Sequence, residues 1–401
     1  MHIRNSIHAL KDEISAHRRA MHENPQTSFE ESFASDLIAA KLDEWGITYE
    51  RGIGKTGIVA TIEGECGASD KAIALRADMD ALDIIEEPNK EWVSKTYGKM
   101  HGCGHDGHSA VLLGTAKSLS ENRSFQGRVY LIFQPAEESG EGAKAMMKDG
   151  LFDRFPCDAI YAMHNWPYSP LGQFEINMGP SMASVDFFEV KIEGKGGHAS
   201  KPHTLIDPII IASQIITALQ TIISRETDPF DPAVLSITNI NGGTGAFNVI
   251  PSHVTFNGTV RTYCTSLKAK IEQRIKKISS DIAENYGAKA LCTYTSMIEP
   301  TINDIEHAKI CADIARAQVG DDNVITDGKA SMGGEDFGAF LQHIPGAYVK
   351  MGQAIPNDPT SPCNQGLHNA GYDFNDDLIP IGIEYWVRLV EHLLPPQSEK
   401  E

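Results

Sequence analysis

The sequence predicts an α/β protein interrupted by a smaller α+β module. Three observations lead there. Up to about Met182, short apolar runs alternate with amphipathic helical stretches. Roughly Ser184 to Ile298 then reads β-α-β-β-α-β, the order of a small two-layer ferredoxin-like sandwich. From about Pro300 the α/β rhythm returns. At 401 residues the chain is also too long for one ordinary core. The expected division is residues 1–183 with 299–401, and an inserted domain over 184–298.

Within the first part, Ile7 to Met21 and Glu31 to Glu44 carry helical apolar spacing, with Gly46 as the stop after the second. Ala72 to Arg76, Val129 to Phe133 and Ala159 to Met163 are short apolar runs that read as buried strands. Ser109 to Leu119 reads as a helix between the first two. Strands separated by helices imply a mostly parallel central sheet. In the insertion, Val185 to Ile192 alternates like a strand. Pro208 to Ser224 is an apolar helix after Asp207, an N-cap residue type. Val234 to Ile240 and His253 to Val260 are strands. Leu267 to Tyr286 is a helix, and Lys289 to Tyr294 closes the module as a strand.

Composition narrows the class. Apolar residues make up 41% and charged residues 22%, as in soluble globular chains. The net charge of −19 argues against a nucleic-acid surface, which needs a basic stripe. No apolar run approaches the ~18–20 residues of a membrane span. The N-terminal MHIRNSIHALKDEISAHRRAMHENP reads as an amphipathic helix, so no secretory signal is expected. Seven cysteines, odd in number and scattered, form no disulfide framework, and a cytoplasmic location is expected.

Chemistry concentrates where loops follow strands, the usual place for sites in open α/β sheets. ALRADMDAL carries Asp78 and Asp80, which can orient ligand histidines from behind. MHGCGHDGHSA carries Cys103 and His105 around one glycine, both metal-ligand types. Its neighbours His101 and His108, and the more distant His22, are not expected to be ligands. FQPAEESGEG carries Glu137 and Glu138. On an extended loop adjacent side chains diverge, so one can bind metal while the other acts as a general base. AMHNWP carries His164, and GLHNAGYDF carries His368. In the insertion, GKGGHAS carries His198, suited to an oxyanion. NVIPS carries Asn248, and GTVRT carries Arg261, suited to a carboxylate. Each feature also has a bland reading. Cys-x-His also describes a buried cysteine beside surface histidines, and Glu-Glu a solvated turn. Asp78 and Asp80 also suit caps, His198 a loop, and Arg261 a salt bridge.

Taken together in this order, the segments resemble the M20 family of metallopeptidases and aminoacylases. Within it they look like the amidohydrolase subgroup of hippurate hydrolases and plant indole-acetyl-amino-acid hydrolases. The resemblance runs from HRRAMHENPQTSFEE to FNDDLIPIG and includes ALRADMDAL, HGCGHDGHSA, FQPAEE, MHNWP, GGHAS, NVIP, GGEDF and LHN. It implies that Cys103, His105, Glu138, His164 and His368 hold two divalent metal ions per subunit. Cys103 stands where many members have a bridging aspartate. His105 and His164 would complete one site, Glu138 and His368 the other. The wider family's His-x-Asp after the first strand is Asp78-Met79-Asp80 here, as in this subgroup, so Asp78 is not assigned as a ligand. Glu137 matches the general base. His198 matches a lid histidine that reaches a dimer partner's active site, and Asn248 and Arg261 match substrate-binding positions on the lid. The Gly333–Asp336 turn resembles a segment whose backbone meets the substrate carboxylate.

What the resemblance implies is hydrolysis of N-acyl amino acids, by a homodimer joined through an inserted lid domain. The partner is a small-molecule substrate, with no nucleic acid and no membrane. Zinc suits the ligands, with manganese, cobalt or nickel as alternatives. Benzoyl, acetyl, longer acyl and indole-acetyl groups all stay open. The competing readings are a dipeptidase or exopeptidase on the same scaffold, and a non-catalytic metal- or peptide-binding relative.

Overall fold

The computed structural model describes residues 1–396. The chain divides into two compact units. The first holds Met1–Ser181, Ile302–Lys329 and the chain from Asp336 onward, and the second holds Met182–Thr301 with Ala330–Glu335. In chain order the main elements begin with helices α1 (Asn5–His8), α2 (Lys11–Glu23) and α3 (Ser32–Glu44). Strands β1 (Thr48–Ile53), β2 (Gly57–Glu63) and β3 (Ala72–Asp78) follow, then α4 (His105–Glu121), β4 (Arg128–Gln134), β5 (Ala159–Pro170) and β6 (Phe174–Glu175). The second unit has β7 (Val185–Glu193), α5 (Pro208–Thr221), β8 (Ala233–Gly242), β9 (His253–Thr262), α6 (Thr265–Asn285) and β10 (Lys289–Ile298). The first unit resumes with α7 (Ile305–Val319), β11 (Val324–Ile325), β12 (Gly346–Ala354) and α8 (Leu378–Leu393).

The first unit is built on an eight-stranded mixed sheet of order β1-β2-β4-β3-β5-β12-β6-β11. Its centre is parallel: β3 pairs with β4 and β5, and β5 with β12, all in parallel. The carboxyl ends of β3, β4 and β5 therefore lie along one edge, where a site forms in such sheets. Helices α2, α4 and α8 are held to this sheet by a core that includes Ile14, Leu113, Leu131, Tyr161 and Trp386.

Three local departures from expectation matter. The helix expected over 7–21 is two, because the chain makes a tight turn in which the Leu10 amide bonds the Ile7 carbonyl at 3.1 Å. Strand β5 runs past Met163 to Pro170, so His164 lies inside a strand and not after one. Helix α4 starts at His105, four residues before the apolar spacing suggests. The glycines of HGCGHDGH hide that start, since glycine lowers helix propensity.

The second unit carries a four-stranded sheet of order β8-β9-β7-β10, antiparallel throughout. This is the ferredoxin-like arrangement. Helices α5 and α6 cover one face, with Ile211, Ile215, Leu219, Ile271 and Ile275 packed on Phe188, Val190, Ile192 and Phe256. The Asp207 side chain caps α5, accepting the Ile209 amide at 2.9 Å. One expectation changes here. By length and composition, Pro208–Glu226 is apolar enough to cross a membrane, with a third of it buried. Its buried face is the packed face of α5, while Ile209 and Ile210 are 45% and 51% exposed.

Candidate metal centre

The centre forms where the ends of β3, β4 and β5 meet the amino end of α4. Asp78 closes β3, and Asp80 follows two residues on, both fully buried. Gly104 enters α4 with φ +93°, a conformation costly for any residue with a Cβ. A Cβ there would also overlap the Asn165 amide and the Tyr372 hydroxyl. This turn places the Cys103 thiol and the His105 ring on the same side of the loop, which a Cys-x-His spacing alone does not guarantee.

Donor atoms converge in several overlapping groups, two of which share Cys103. Those of Cys103, His105 and His164 lie within 4.8 Å of one another, and so do those of Cys103, Glu138 and His368. Cys103 belongs to both. Its Sγ is 3.5 Å from His164 Nε2. Glu138 Oε1 is 3.4 Å from His368 Nε2 and 3.8 Å from His105 Nε2. Glu137 joins from the side, its Oε2 4.0 Å from His105 Nε2. Its Oε1 accepts the Asp336 amide at 3.3 Å. Glu137 and Glu138 lie in a tight turn, not on an extended loop, so their divergence comes from that turn. The turn begins at Ala136, which has φ +54°. His368 also has positive φ, +65°, and its amide bonds the Gly102 carbonyl at 2.8 Å, docking its loop onto the cysteine loop.

A buried polar layer holds these groups. Asp80 accepts from His105 Nδ1 at 3.0 Å and from the Glu138 amide at 3.0 Å, tying the His105 ring and the Glu138 backbone to the same side chain. Asp78 bonds His108 Nδ1 at 2.6 Å and accepts Arg76 Nη1 at 2.8 Å. Asp78, His105 and His108 also lie within ligand distance of one another, but the Asp78–His108 bond already engages two of the atoms concerned. His108 Nε2 meets Asn165, and His164 Nδ1 donates to the Asn165 carbonyl at 2.7 Å, leaving His164 Nε2 toward the thiol. The role of His108 went unread in the sequence. Its position three residues after His105 was the available signal, because i and i+3 share a helix face.

Charge follows this layout. Burial opposes a charge on His105, but Asp78, Cys103 and Asp80 raise its pKa well above the ordinary value. Burial, with His108 adding to it, takes His164 well below, so that ring is neutral. Burial also opposes the Glu138 anion, and His368 and His105 bring its pKa down. Burial and Glu138 push the Cys103 thiol up. Among the described residues, His105 Nε2 and Glu138 Oε1 are buried atoms with no hydrogen-bond partner. Buried polar atoms are normally paired. Two orphans pointing into one cluster of thiol, imidazole and carboxylate fit a divalent cation in donor chemistry and placement.

Six of the nine residues matched to metal, base or substrate roles are thus gathered: Cys103, His105, Glu137, Glu138, His164 and His368. The other three belong to the second unit. His198 is exposed, pairs with Val249 across a short ladder, and its Nδ1 meets Ser200 Oγ at 2.8 Å. Asn248 is exposed, and its carbonyl accepts the Ala199 amide at 2.9 Å. Arg261 is half-buried and lines a concavity of about 400 Å³ with Phe187, Thr238, Asn257 and Thr259.

The whole chain can be placed by comparison. A hippurate hydrolase of Campylobacter jejuni is 38% identical over 380 residues, covering 95% of this chain and 96% of that protein. An N-acetyl-L-cysteine deacetylase of Bacillus subtilis is 41% identical over 349 residues, covering 86% of this chain and 82% of that one. The crystal structure of a dinuclear metal-binding peptidase of the M20 family from Bacillus subtilis superposes with a TM-score of 0.83 at 33% identity, over 96% of this chain and 98% of that one. The model of peptidase family M20/M25/M40 matches residues 74–392, and the chain belongs to that family.

Proposed function

We propose that this protein is a metal-dependent amidohydrolase that splits N-acyl amino acids into a carboxylic acid and a free amino acid. The observation that carries the proposal is the pair of donor groups sharing Cys103, with Glu137 beside them. Relatives named for hippurate, N-acetylcysteine and indole-acetyl-amino-acid hydrolysis support the substrate class. Cys103, His105 and His164 would hold one divalent cation, and Cys103, Glu138 and His368 the second. Thiolate, imidazole and carboxylate together suit zinc, and the same set accepts manganese, cobalt or nickel. Bound there, the cations supply Lewis acidity, lowering the pKa of a water and polarising the amide carbonyl.

The chain's own groups do the rest. Glu137 takes the proton of the attacking water. Its Oε1 accepts the Asp336 amide at 3.3 Å, and its Oε2 lies 4.0 Å from His105 Nε2, beside the donor groups. As the tetrahedral state collapses, the same carboxylate returns the proton to the leaving nitrogen. Asn248 and Arg261 are taken as substrate contacts, Arg261 for the amino-acid carboxylate. His198 is taken as an oxyanion donor.

The direct test is an N-acyl-amino-acid panel on metal-stripped protein resupplied with each metal in turn. Hippurate or an N-acetyl amino acid should be cleaved in a metal-dependent way. Each should be preferred over a dipeptide by about a hundredfold or more, the range a built pocket achieves. A dipeptide preference would favour the exopeptidase reading. No metal-dependent release of amine would favour a binding protein.

A homodimer through the inserted unit is part of the proposal. The apolar outer residues Ile209 and Ile210 of α5, and Ile240 at 56% exposure on edge strand β8, support it. If His198 serves the partner's site, mixing a His198→Ala chain with a Glu137→Gln chain rebuilds one good site per mixed dimer. Verified heterodimers should then recover about half of wild-type turnover, as two-fold symmetry requires. No recovery in verified heterodimers would count against the trans role. Seven free cysteines support a reducing, cytoplasmic location.

A further inference from the structure

Glu31 occupies the N-cap position of α3 and does not cap it with its side chain. Glutamate is a poor choice there in any case, since short polar side chains make the better caps. The carboxylate is 0% exposed and points elsewhere. Its Oε1 accepts the Phe29 amide at 2.8 Å and the Ala136 amide at 2.9 Å, and its Oε2 accepts the Thr56 hydroxyl at 2.6 Å. A carboxylate taken wholly out of water is costly unless its oxygens are bonded, and here both are.

The position of Ala136 gives this arrangement its meaning. It adopts φ +54° despite carrying a Cβ, a strained choice that persists only where surroundings over-determine it. Glu137 and Glu138 follow directly. On the far side, the Glu138 amide is held by Asp80 Oδ2 at 3.0 Å. The amides immediately before and after Glu137 are thus both gripped by buried carboxylates from distant segments. Asp80 also serves His105, whereas Glu31 touches none of the donor groups of the centre.

We infer that Glu31 is a positioning residue for Glu137: its carboxylate pins the Ala136 amide and fixes the left-handed residue from which the base departs. This rests on the reading of Glu137 as the base. Reach is the critical property. Glutamine keeps an acceptor oxygen at the same distance, whereas aspartate keeps the charge but is one methylene short.

The experiment compares Glu31→Gln, Glu31→Asp and Glu31→Ala with Glu137→Gln in the full-length, metal-loaded protein. It reads kcat, KM and metal content, together with amide hydrogen exchange of residues 136–140 in metal-free protein. Glu31→Gln should stay within about threefold of wild type, since its oxygen still accepts the amide. Glu31→Asp and Glu31→Ala should lower kcat about 10- to 100-fold, the usual effect of losing such a support. KM and metal content should not change, and exchange should quicken at 136–140 but not in β4. Near-normal kcat in Glu31→Asp, a loss that follows metal content or KM, or a Glu31→Gln variant as impaired as Glu31→Ala would each overturn the inference. If Glu31→Ala does not fold, the aspartate and glutamine variants decide. Normal turnover in Glu137→Gln would remove the base reading instead, and the exchange measurement would still decide whether Glu31 holds the turn.

Discussion

Glu137→Gln is expected to lose about a thousandfold in kcat, within the range that general acid–base groups supply, while keeping its metal. That loss corresponds to about 4 kcal/mol of transition-state stabilisation. The substitution preserves size and leaves an oxygen to accept the Asp336 amide, so the turn should hold. It removes the proton acceptor beside the donor groups, 4.0 Å from His105 Nε2. KM should move little, because the lost interaction exists only while a proton is in flight. Steady-state kinetics alongside metal analysis checks this. A variant with full metal content and ordinary turnover would take Glu137 out of the mechanism.

The second large effect is expected at Cys103. Its sulfur belongs to both donor groups, so Cys103→Ala should weaken both cation sites, whereas His164→Ala should weaken one. Metal bound after dialysis, and the sulfur-to-cobalt charge-transfer band of cobalt-loaded protein, are the readouts. Heat stability in metal-containing buffer should fall as well, since a cation at a thousand times its Kd contributes about 4 kcal/mol to the folded state. The thiol carries a sign that can be checked. Burial and Glu138 push its pKa above the ordinary value, so metal-free Cys103 holds its proton at neutral pH. Cation binding must displace that proton, and metal affinity should therefore rise with pH and fall toward acid. Two cations retained at wild-type affinity in Cys103→Ala would overturn the shared-ligand assignment.

Much of this is legible in the sequence alone. Short apolar runs such as VYLIF identify buried strands, and the β-α-β-β-α-β order of the insertion identifies its sandwich, because sheets and helices impose different periods. The boundaries were less legible. The start of α4 was hidden by glycines that are poor helix formers yet required there by close packing, as at Gly107 against Phe374. The extension of β5 through His164 was hidden because NWPYSP reads as loop, while its partner strand β12 keeps the ladder going to Pro170.

The residue types of the centre can be read from the chain, because thiol, imidazole and carboxylate on loops after strands are costly to keep together without a purpose. What the one-dimensional pattern does not hold is distance. Cys103 and His368 are 265 positions apart by their numbers, and only the parallel order of β3, β4 and β5 and the docking of His368 on Gly102 bring their ligand atoms within 4.8 Å. Nor does the pattern show support. That Asp80 serves both His105 and the Glu138 amide, that His108 bonds Asp78, and that Glu31 reaches Ala136 from the start of another helix are long-range hydrogen bonds. They are selected by burial, which makes an unpaired polar group costly, and no local spacing reports them. The family's chemistry was therefore legible in the residues themselves, and the geometry that makes Cys103 common to two donor groups came from folding.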